Sequence, residues 1–194
     1  MMYVANVGDC RLVLGELDPA TSQVRARRVT RDHTATSHPE EAARLAELKV
    51  AVDEEGYHAG VLQVSRSIGD FSTKQALGES VILSTPELHS EALGPDTLFA
   101  IACSDGITCA MEDNTMVMLV CQYLNERLAS GATNCAQHAS RQLVQYAINV
   151  KGSDDNASAV VIVFTDLPPP PPLRPKRWRA APATSSVPAA NSKG

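Results

Sequence analysis

The chain has 194 residues, 44% of them hydrophobic and 4% aromatic, and its 17 basic and 22 acidic side chains give a net charge of −5. These values indicate one globular domain. The charge is uneven, because residues 167–194 hold five basic and no acidic residues, which leaves 12 basic against 22 acidic residues, or −10, before them. An acidic body argues against binding to a phosphate backbone, so we expect no nucleic-acid partner.

The apolar runs and the cysteines limit where the protein works. No apolar run exceeds six residues, whereas a membrane span needs roughly 18 residues, so no membrane partner is expected. The N-terminus has neither the basic nor the apolar region of a secretory signal. Five cysteines without a CxxC pair favour reduced thiols in a cytoplasmic or nuclear protein, and give no reason to expect structural zinc.

Period-2 alternation and continuous apolar runs predict the strands. Residues 3–7 and 10–14 are expected to form a hairpin around a Gly8-Asp9 turn. Residues 98–103 and 159–164 are apolar on both faces, which is typical of central strands covered on both sides. Further strands or short extended pieces are predicted at 23–29, 61–65 and 81–84.

Helical periodicity and capping signals predict the helices. The S-x-x-E pattern that begins at Ser37 indicates a capping box, which would open a helix ending near Lys49. Apolar residues at helical spacing predict two further helices, over 114–129 and 133–149. The polar, Gly-containing stretch 66–78 is interpreted as a flap. Together the elements predict strands packed in layers with helices outside.

The composition changes after Asp166. Eight of the 12 prolines lie beyond it, which predicts a disordered, proline-rich basic tail over 167–194 behind a folded domain over 1–166. The PxxPxR spacing of Pro169–Arg174 suits an SH3-like partner. A solvated spacer is the simpler interpretation of such a proline run.

Three aspartates are candidate metal ligands, because each lies where a strand meets a loop. Asp9 is in the predicted hairpin turn, Asp105 follows strand 98–103, and Asp155 precedes strand 159–164. Carboxylates that converge at strand ends supply hard oxygen ligands, which favour Mg²⁺ or Mn²⁺ over zinc. Ordinary turns contain the same Asp-Gly and Asp-Asn pairs, so spacing alone leaves both interpretations open.

Five segments carry more specific patterns: YVANVGDCR at 3–11, RDH at 31–33 with EEAAR at 40–44, LQVSRSIGDF at 62–71, ACSDG at 102–106 and SDDNAS at 153–158. In this order they resemble successive motifs of the PP2C (PPM) metal-dependent protein serine/threonine phosphatases. The resemblance covers about residues 2–165 and implies an α-β-β-α sandwich with a dinuclear Mg²⁺ or Mn²⁺ site between its sheets. It also implies that a metal-activated water hydrolyses phosphoserine and phosphothreonine in a phosphoprotein substrate, without a phosphoenzyme.

The resemblance assigns roles to individual residues. Asp105 and Asp155 match ligands of the family's first metal, and Asp9 matches an aspartate associated with a weaker third metal. In the segment that leads into the flap, Arg66 and Asp70 are expected to pair and to hold the backbone. Gly106 and Asn156 are expected beside the metal ligands, and Arg66 and Asp70 are expected in the flap.

The chain also departs from the family pattern. The Asp-Gly-His-Gly-Gly motif and the N-terminal phosphate-binding and metal-binding positions are absent, so we expect a truncated protein that is weak or inactive as given. Thr108-Cys109 replaces a Trp-Asp pair, which removes a carboxylate from the third metal, and Cys10 replaces a serine at a position expected to be buried. The alternative function is an inactive pseudophosphatase that binds a kinase or another partner, or an adaptor acting through its tail.

Cysteine chemistry is the competing catalytic class. Cys121–Arg127 and Cys135–Arg141 have the C-x5-R spacing of cysteine-dependent phosphatases. That chemistry needs a phosphate-cradling loop and a thiolate of depressed pKa. Neither segment contains glycine and both lie in predicted helices, so we exclude it. The five histidines fall in different predicted elements without ligand spacing, and we expect most of them at the surface or in caps, with a structural role for His33.

Overall fold

The computed structural model describes residues 1–164. Within them the strands are β1 (Met2–Asn6), β2 (Arg11–Asp18), β3 (Gln23–Arg28), β4 (Glu87–Glu91), β5 (Thr97–Cys103) and β6 (Ala159–Val163). The helices are α1 (Pro39–Glu47), α2 (Phe71–Leu77), α3 (Asp105–Thr108), α4 (Asp113–Ala129) and α5 (Cys135–Asn149). The predicted tail over 167–194, with its Pro169–Arg174 motif, lies outside the described residues.

The strands form two sheets, and their pairing shows that the predicted N-terminal hairpin was wrong. β1 pairs with β4 in a two-stranded antiparallel sheet. β2 lies instead in a four-stranded sheet of order β3-β2-β5-β6, in which all neighbours are antiparallel. Alternation looks the same in a hairpin and in two strands of facing sheets, so the pattern could not distinguish them.

Gly8 makes the passage from one sheet to the other possible. Its φ of +96° lies in a region that residues with a side chain rarely adopt. The buried Asn6 side chain donates to the carbonyl oxygen of Arg31 at 3.0 Å, which ties the end of β1 to the loop after β3. The chain therefore leaves the smaller sheet at the end of β1 and enters the larger sheet at Arg11, where β2 begins.

β5 is the centre of the main core. Leu98, Phe99, Ala100 and Ile101 are at most 2% exposed, and α4 and α5 pack on one face of their sheet. Both helices were predicted within two residues of their observed bounds. The buried helical residues of this core include Val117, Val120, Leu124, Ala139, Leu143 and Ala147.

β6 differs from its prediction, because it is an edge strand of the larger sheet. Val160 and Ile162 are 58% and 46% exposed, although residues 159–164 were expected to be covered on both faces. An apolar run indicates that a strand can be buried on both sides. It does not indicate how many neighbours the strand has.

The two-stranded sheet packs on the other face of the larger sheet. Leu14, Val29 and Ala100 form the core between the sheets. The described residues thus form three layers of the expected sandwich: the α4 and α5 layer and the two sheets. Tyr3 and Leu88, on the outer face of the smaller sheet, are 81% and 74% exposed, so no helix within 1–164 covers them.

The segment between β3 and β4 contains α1 and α2. The N-cap of α1 is His38 and not Ser37, because the amides of Ser37 and His38 are both held by Thr34, through its hydroxyl and its carbonyl oxygen respectively. Helix α2 lies within the predicted flap. The flanking pieces 61–65 and 81–84 form isolated bridges and not strands.

None of the helices in the described part of the chain is long and apolar enough to span a bilayer.

Candidate functional site

The antiparallel register brings the ends of three strands to one edge of the larger sheet. The first residue of β2 pairs with the last residue of β5, which pairs in turn with the first residue of β6. Asp9 lies just before β2, Asp105 just after β5, and Asp155 in the loop that enters β6. The loops that carry the three predicted ligands therefore lie at the same edge, which we call the carboxylate edge.

Asp9 and Asp105 interact electrostatically at this edge. Burial, followed by the negative charge of Asp105, raises the pKa of Asp9 above its ordinary value. The charge of Asp32 also raises the pKa of Asp9, and the guanidinium of Arg11, which donates to Asp32 with Nε 2.8 Å from Oδ1, lowers it by less. Carboxylates that repel each other in this way are suited to a cation.

Hydrogen bonds join the loops that carry Asp105 and Asp155. The Ser153 hydroxyl donates to the carbonyl oxygen of Gly106 at 2.7 Å, and the Ser104 hydroxyl donates to that of Asn156 at 3.2 Å. The amide of Ser158 donates to the Ser104 hydroxyl at 3.0 Å. These bonds fix the two loops relative to each other before any ligand arrives.

Gly106 allows the closest approach between these loops. A Cβ at this position would lie 2.5 Å from the carbonyl oxygen of Asn156 and 3.0 Å from its carbonyl carbon. Because both atoms belong to the backbone, neither can move away without displacing the loop. The glycine of the Ser-Asp-Gly segment is thus a packing requirement at this site.

Amide groups orient two of the carboxylates. Asp105 Oδ1 accepts the Gly106 amide at 2.9 Å, and Asp155 Oδ1 accepts the Asn156 amide at 2.7 Å. Each bond uses one carboxylate oxygen and leaves the other available as a ligand. Gly106 and Asn156 therefore lie beside the candidate ligands, where the sequence placed them.

Comparisons with known proteins agree with this geometry. The family model of protein phosphatase 2C matches residues 1–157. The chain belongs to the protein phosphatase 2C family. It is 33% identical to probable protein phosphatase 2C 67 of Oryza sativa subsp. japonica over 172 residues, and 32% identical to probable protein phosphatase 2C 13 of Arabidopsis thaliana over 180 residues.

These alignments cover 84% and 92% of this PP2C chain, but 44% and 43% of the two relatives. The chain thus spans less than half the length of the curated relatives it matches. A crystal structure of a Toxoplasma gondii phosphatase, with 23% identity and a TM-score of 0.63 over 84% of this chain and 47% of that one, shares the fold. A Caenorhabditis elegans sex determining protein does so with 22% identity and a TM-score of 0.64, over 83% and 36% of the two chains.

Two cysteines flank the carboxylate edge of this PP2C chain. Desolvation, followed by the negative charge of Asp105, raises the pKa of the Cys109 thiol, and desolvation followed by the charge of Asp9 raises that of Cys10. Both thiols therefore stay neutral beside the carboxylates and add no further negative charge. Cys10 is exposed, so its expected burial was wrong.

The expected pair between Arg66 and Asp70 is not formed. Arg66 instead binds the buried Glu41 of α1, with Nε 3.0 Å from Oε1, and donates to the carbonyl oxygen of Thr85 at 3.1 Å. Asp70 is exposed, with a φ of +50°, at the start of α2. Charge spacing in the motif suggested a local pair, but Glu41 lies on a helix that only the tertiary fold brings to Arg66.

The structure also assembles a group that sequence reasoning missed. His33, His38 and Glu87 place potential ligand atoms within 4.8 Å of one another, the one such group of three found in residues 1–164. His58 is fully buried and so departs from the expectation that most histidines lie at the surface or in caps; His33, for which a structural role was expected, is fully buried too. His38 does occupy a cap position, yet it is 1% exposed. These residues come from separate elements, so no spacing rule could have found the group.

The cysteines of the two C-x5-R segments have structural positions. Cys121 lies within α4, where burial raises the pKa of its thiol. Cys135 is the first residue of α5, and its thiol donates to the carbonyl oxygen of Ala132 at 3.1 Å. A thiol engaged as a donor is not an activated nucleophile. These contacts support the exclusion of cysteine catalysis.

Proposed function

We propose that this chain supplies part of the metal centre of a protein serine/threonine phosphatase, and that Asp105 and Asp155 are ligands of one divalent ion, with Asp9 beside them. The observation that carries the proposal is the meeting of three aspartate-bearing loops at one sheet edge in a chain of the PP2C family. Its substrates would be phosphoserine and phosphothreonine in proteins.

The donor set fits a hard cation. The two proposed ligands and the adjacent Asp9 are all carboxylates, and the pKa of Asp9 is raised by burial and then by the charge of Asp105, a repulsion that a divalent ion would relieve. Oxygen-only coordination favours Mg²⁺ or Mn²⁺ over the softer transition metals. When bound, such an ion would offset negative charge on the phosphoryl group and activate a water for attack on phosphorus.

The side chains and amides of the chain orient this chemistry. The amides of Gly106 and Asn156 fix the directions of the Asp105 and Asp155 carboxylates. The amide of Gly8 donates to His33 Nδ1 at 3.1 Å, and the amide of His33 donates to the Gly8 carbonyl oxygen at 3.1 Å, so the turn that carries Asp9 is held from both sides. The loops of the edge are thus held before an ion binds, but within residues 1–164 the three carboxylates do not place oxygens within 4.8 Å of one another, so their side chains would converge when the ion binds.

The test compares neighbouring aspartates in a phosphopeptide hydrolysis assay with Mn²⁺ or Mg²⁺. Because the chain covers 44% of the rice relative, the assay is run on the 194-residue chain and on a fusion that carries, before Met1, the part of that relative which lies ahead of the aligned region. We expect turnover near background for the chain and metal-dependent turnover for the fusion. Asp105→Asn and Asp155→Asn should abolish it, whereas Asp154→Asn, the adjacent exposed control, should not.

Two results would contradict the proposal. One is turnover that is equal in chelator and in Mn²⁺. The other is metal-dependent turnover that survives Asp105→Asn and Asp155→Asn together, since the ion would then be held elsewhere. Metal-independent turnover lost in Cys121→Ser or Cys135→Ser would restore the cysteine mechanism.

A further inference from the structure

A second group of potential ligands lies between α1, β4 and the loop after β3. Nε2 of His33 is 3.5 Å from Oε2 of Glu87, and Nε2 of His38 is 3.8 Å from Oε1 of the same carboxylate. The two imidazole rings stack with centroids 5.6 Å apart. We call His33, His38 and Glu87 the histidine cluster. His89 lies at its margin, with Nε2 3.2 Å from Glu87 Oε2.

Several polar atoms of this cluster are buried without hydrogen-bond partners. In the described part of the chain ten buried side-chain nitrogen or oxygen atoms lack a partner, and five of them belong to the cluster and His89. They are His33 Nε2, both ring nitrogens of His38, Glu87 Oε2 and His89 Nε2. A buried polar atom without a partner costs about 1–3 kcal/mol, so a ligand that engages several of these atoms at once would be strongly favoured.

We propose that the histidine cluster binds a divalent transition-metal ion of the Zn²⁺ class through His33, His38 and Glu87. Two imidazoles and one carboxylate are a donor set typical of such ions, and unlike the oxygen-only carboxylate edge. Metal–ligand bonds of about 2.0–2.2 Å in a tetrahedral site separate the ligand atoms by roughly 3.3 Å. The ligand atoms of the cluster, one from each residue, all lie within 4.8 Å of one another, so the side chains would move together by at most about 1.5 Å to reach it.

The residues at the margin of the cluster are partly exposed. Its two histidines are at most 1% exposed, whereas the side chains of Glu87 and His89 are 22% and 19% exposed and open the site to solvent. Three protein ligands leave one tetrahedral position for water or another small ligand. The ion would therefore reach the buried imidazoles past Glu87.

The tautomer of His33 connects this site to the carboxylate edge. Because Nδ1 accepts the Gly8 amide, a neutral ring carries its proton on Nε2. Coordination through Nε2 moves that proton to Nδ1, which then faces the Gly8 N–H as a second donor. The bond between Gly8 and His33 must break, so metal binding would shift the turn that carries Asp9.

The test locates a paramagnetic ion by NMR on the full chain. Co²⁺ is added in excess Mg²⁺, which occupies the hard-oxygen ligands, and histidine ring signals are followed. We expect the signals of His33 and His38 to broaden before those of His58 and His138. Zn²⁺, which is diamagnetic, should shift the Gly8 amide. This wild-type measurement does not depend on whether a variant folds.

Variants test the ligand assignment by calorimetric Zn²⁺ titration. Loss of a partner that merely orients a metal ligand already weakens binding 10–100-fold, so His38→Gln should weaken it at least about tenfold. His138→Gln, which removes a histidine on α5, is the matched control and should bind as the wild type does.

A thiolate–cobalt absorption band, or equal broadening of all histidine signals, would place the ion elsewhere and overturn the proposal. Ring signals that respond to pH but not to Co²⁺ would show that only protons or water occupy the cluster, and would also overturn it.

Discussion

The Arg66 guanidinium binds the carboxylate of Glu41, with Nε 3.0 Å and a terminal nitrogen 2.5 Å from Oε1. The second oxygen, Oε2, accepts hydrogen bonds from Ser65 at 2.5 Å and from Arg44 at 2.7 Å. The Glu41 side chain is 2% exposed. One buried carboxylate of α1 thus holds the segment that leads into the predicted flap.

Replacing Glu41 should destabilise the protein strongly. Glu41→Gln removes the charge that neutralises two partly buried guanidinium groups, and breaking a buried ion pair from one side costs on the order of 3 kcal/mol. We expect a loss of that size in the free energy of unfolding, measured with urea. Glu40→Gln, at the exposed neighbouring position, should change it by less than about 0.5 kcal/mol. Equal values for the two variants would contradict a structural role for this carboxylate.

The same residue predicts an acid-sensitive step. Burial alone would raise the pKa of Glu41, but hydrogen bonds from Arg66, Ser65 and Arg44 outweigh it and lower the pKa from 4.5 to about 2. A depressed folded-state pKa contributes stability that is complete above the unfolded value and is lost as pH falls towards the folded value. The urea midpoint of the wild type should therefore fall between about pH 4.5 and pH 2. Glu41→Gln should show a shallower fall, and parallel curves would contradict this assignment.

The layered fold could be predicted from sequence more fully than its strand pairing. Helices α4 and α5 follow from long apolar stripes, and the burial of β5 on both faces follows from its continuous apolar run. The Gly8-Asp9 segment was misread as a hairpin turn, because local alternation does not specify which strands pair. Pairing depends on contacts between distant segments, such as β1 with β4, that no local window contains.

The candidate site also has residues that could be predicted from sequence and residues that could not. Asp9, Asp105 and Asp155 could be proposed from motifs, since each motif is a continuous segment at a strand end. The partner of Arg66 and the histidine cluster could not, because Glu41, His38 and Glu87 reach them from other elements. Local motifs suggest candidate ligands, whereas the contacts that hold or supplement them are tertiary.

Gly106→Ala should disrupt the carboxylate edge. The new Cβ would lie 2.5 Å from the Asn156 carbonyl oxygen, and overpacking of this kind costs about 1–3 kcal/mol. We expect a lower urea midpoint and displaced amide signals at Asp105 and Asn156. Gly94→Ala is the matched control, because a Cβ there meets nothing within 4 Å and its φ is not positive. If both variants matched the wild type, the close approach of the two loops would not exist in solution.

Mg²⁺ or Mn²⁺ should bind the chain weakly, as a single ion. A ligand at ten times its dissociation constant stabilises the folded state by about 1.4 kcal/mol, which thermal unfolding can detect. Asp155→Asn should remove this stabilisation, whereas Asp154→Asn should keep it. The affinity for the ion should fall with decreasing pH. Because the pKa of Asp9 is raised, protons compete with the ion at a higher pH than they would at an ordinary carboxylate. Two tight sites on the 194-residue chain would contradict the prediction.

The chain should associate through β6 at high concentration. Within residues 1–164 β6 is an edge strand, and Val160 and Ile162 are 58% and 46% exposed on the face it shares with Ala100, the face that packs on the smaller sheet. An apolar, unpaired edge favours pairing with another chain, and lysine on such an edge opposes it. Light scattering should give a mass that rises with concentration for the wild type, but not for Val160→Lys with Ile162→Lys. Met118→Lys, which replaces a 60% exposed apolar residue of α4, should leave association unchanged. A wild-type mass that stays monomeric at high concentration would show that β6 does not mediate association.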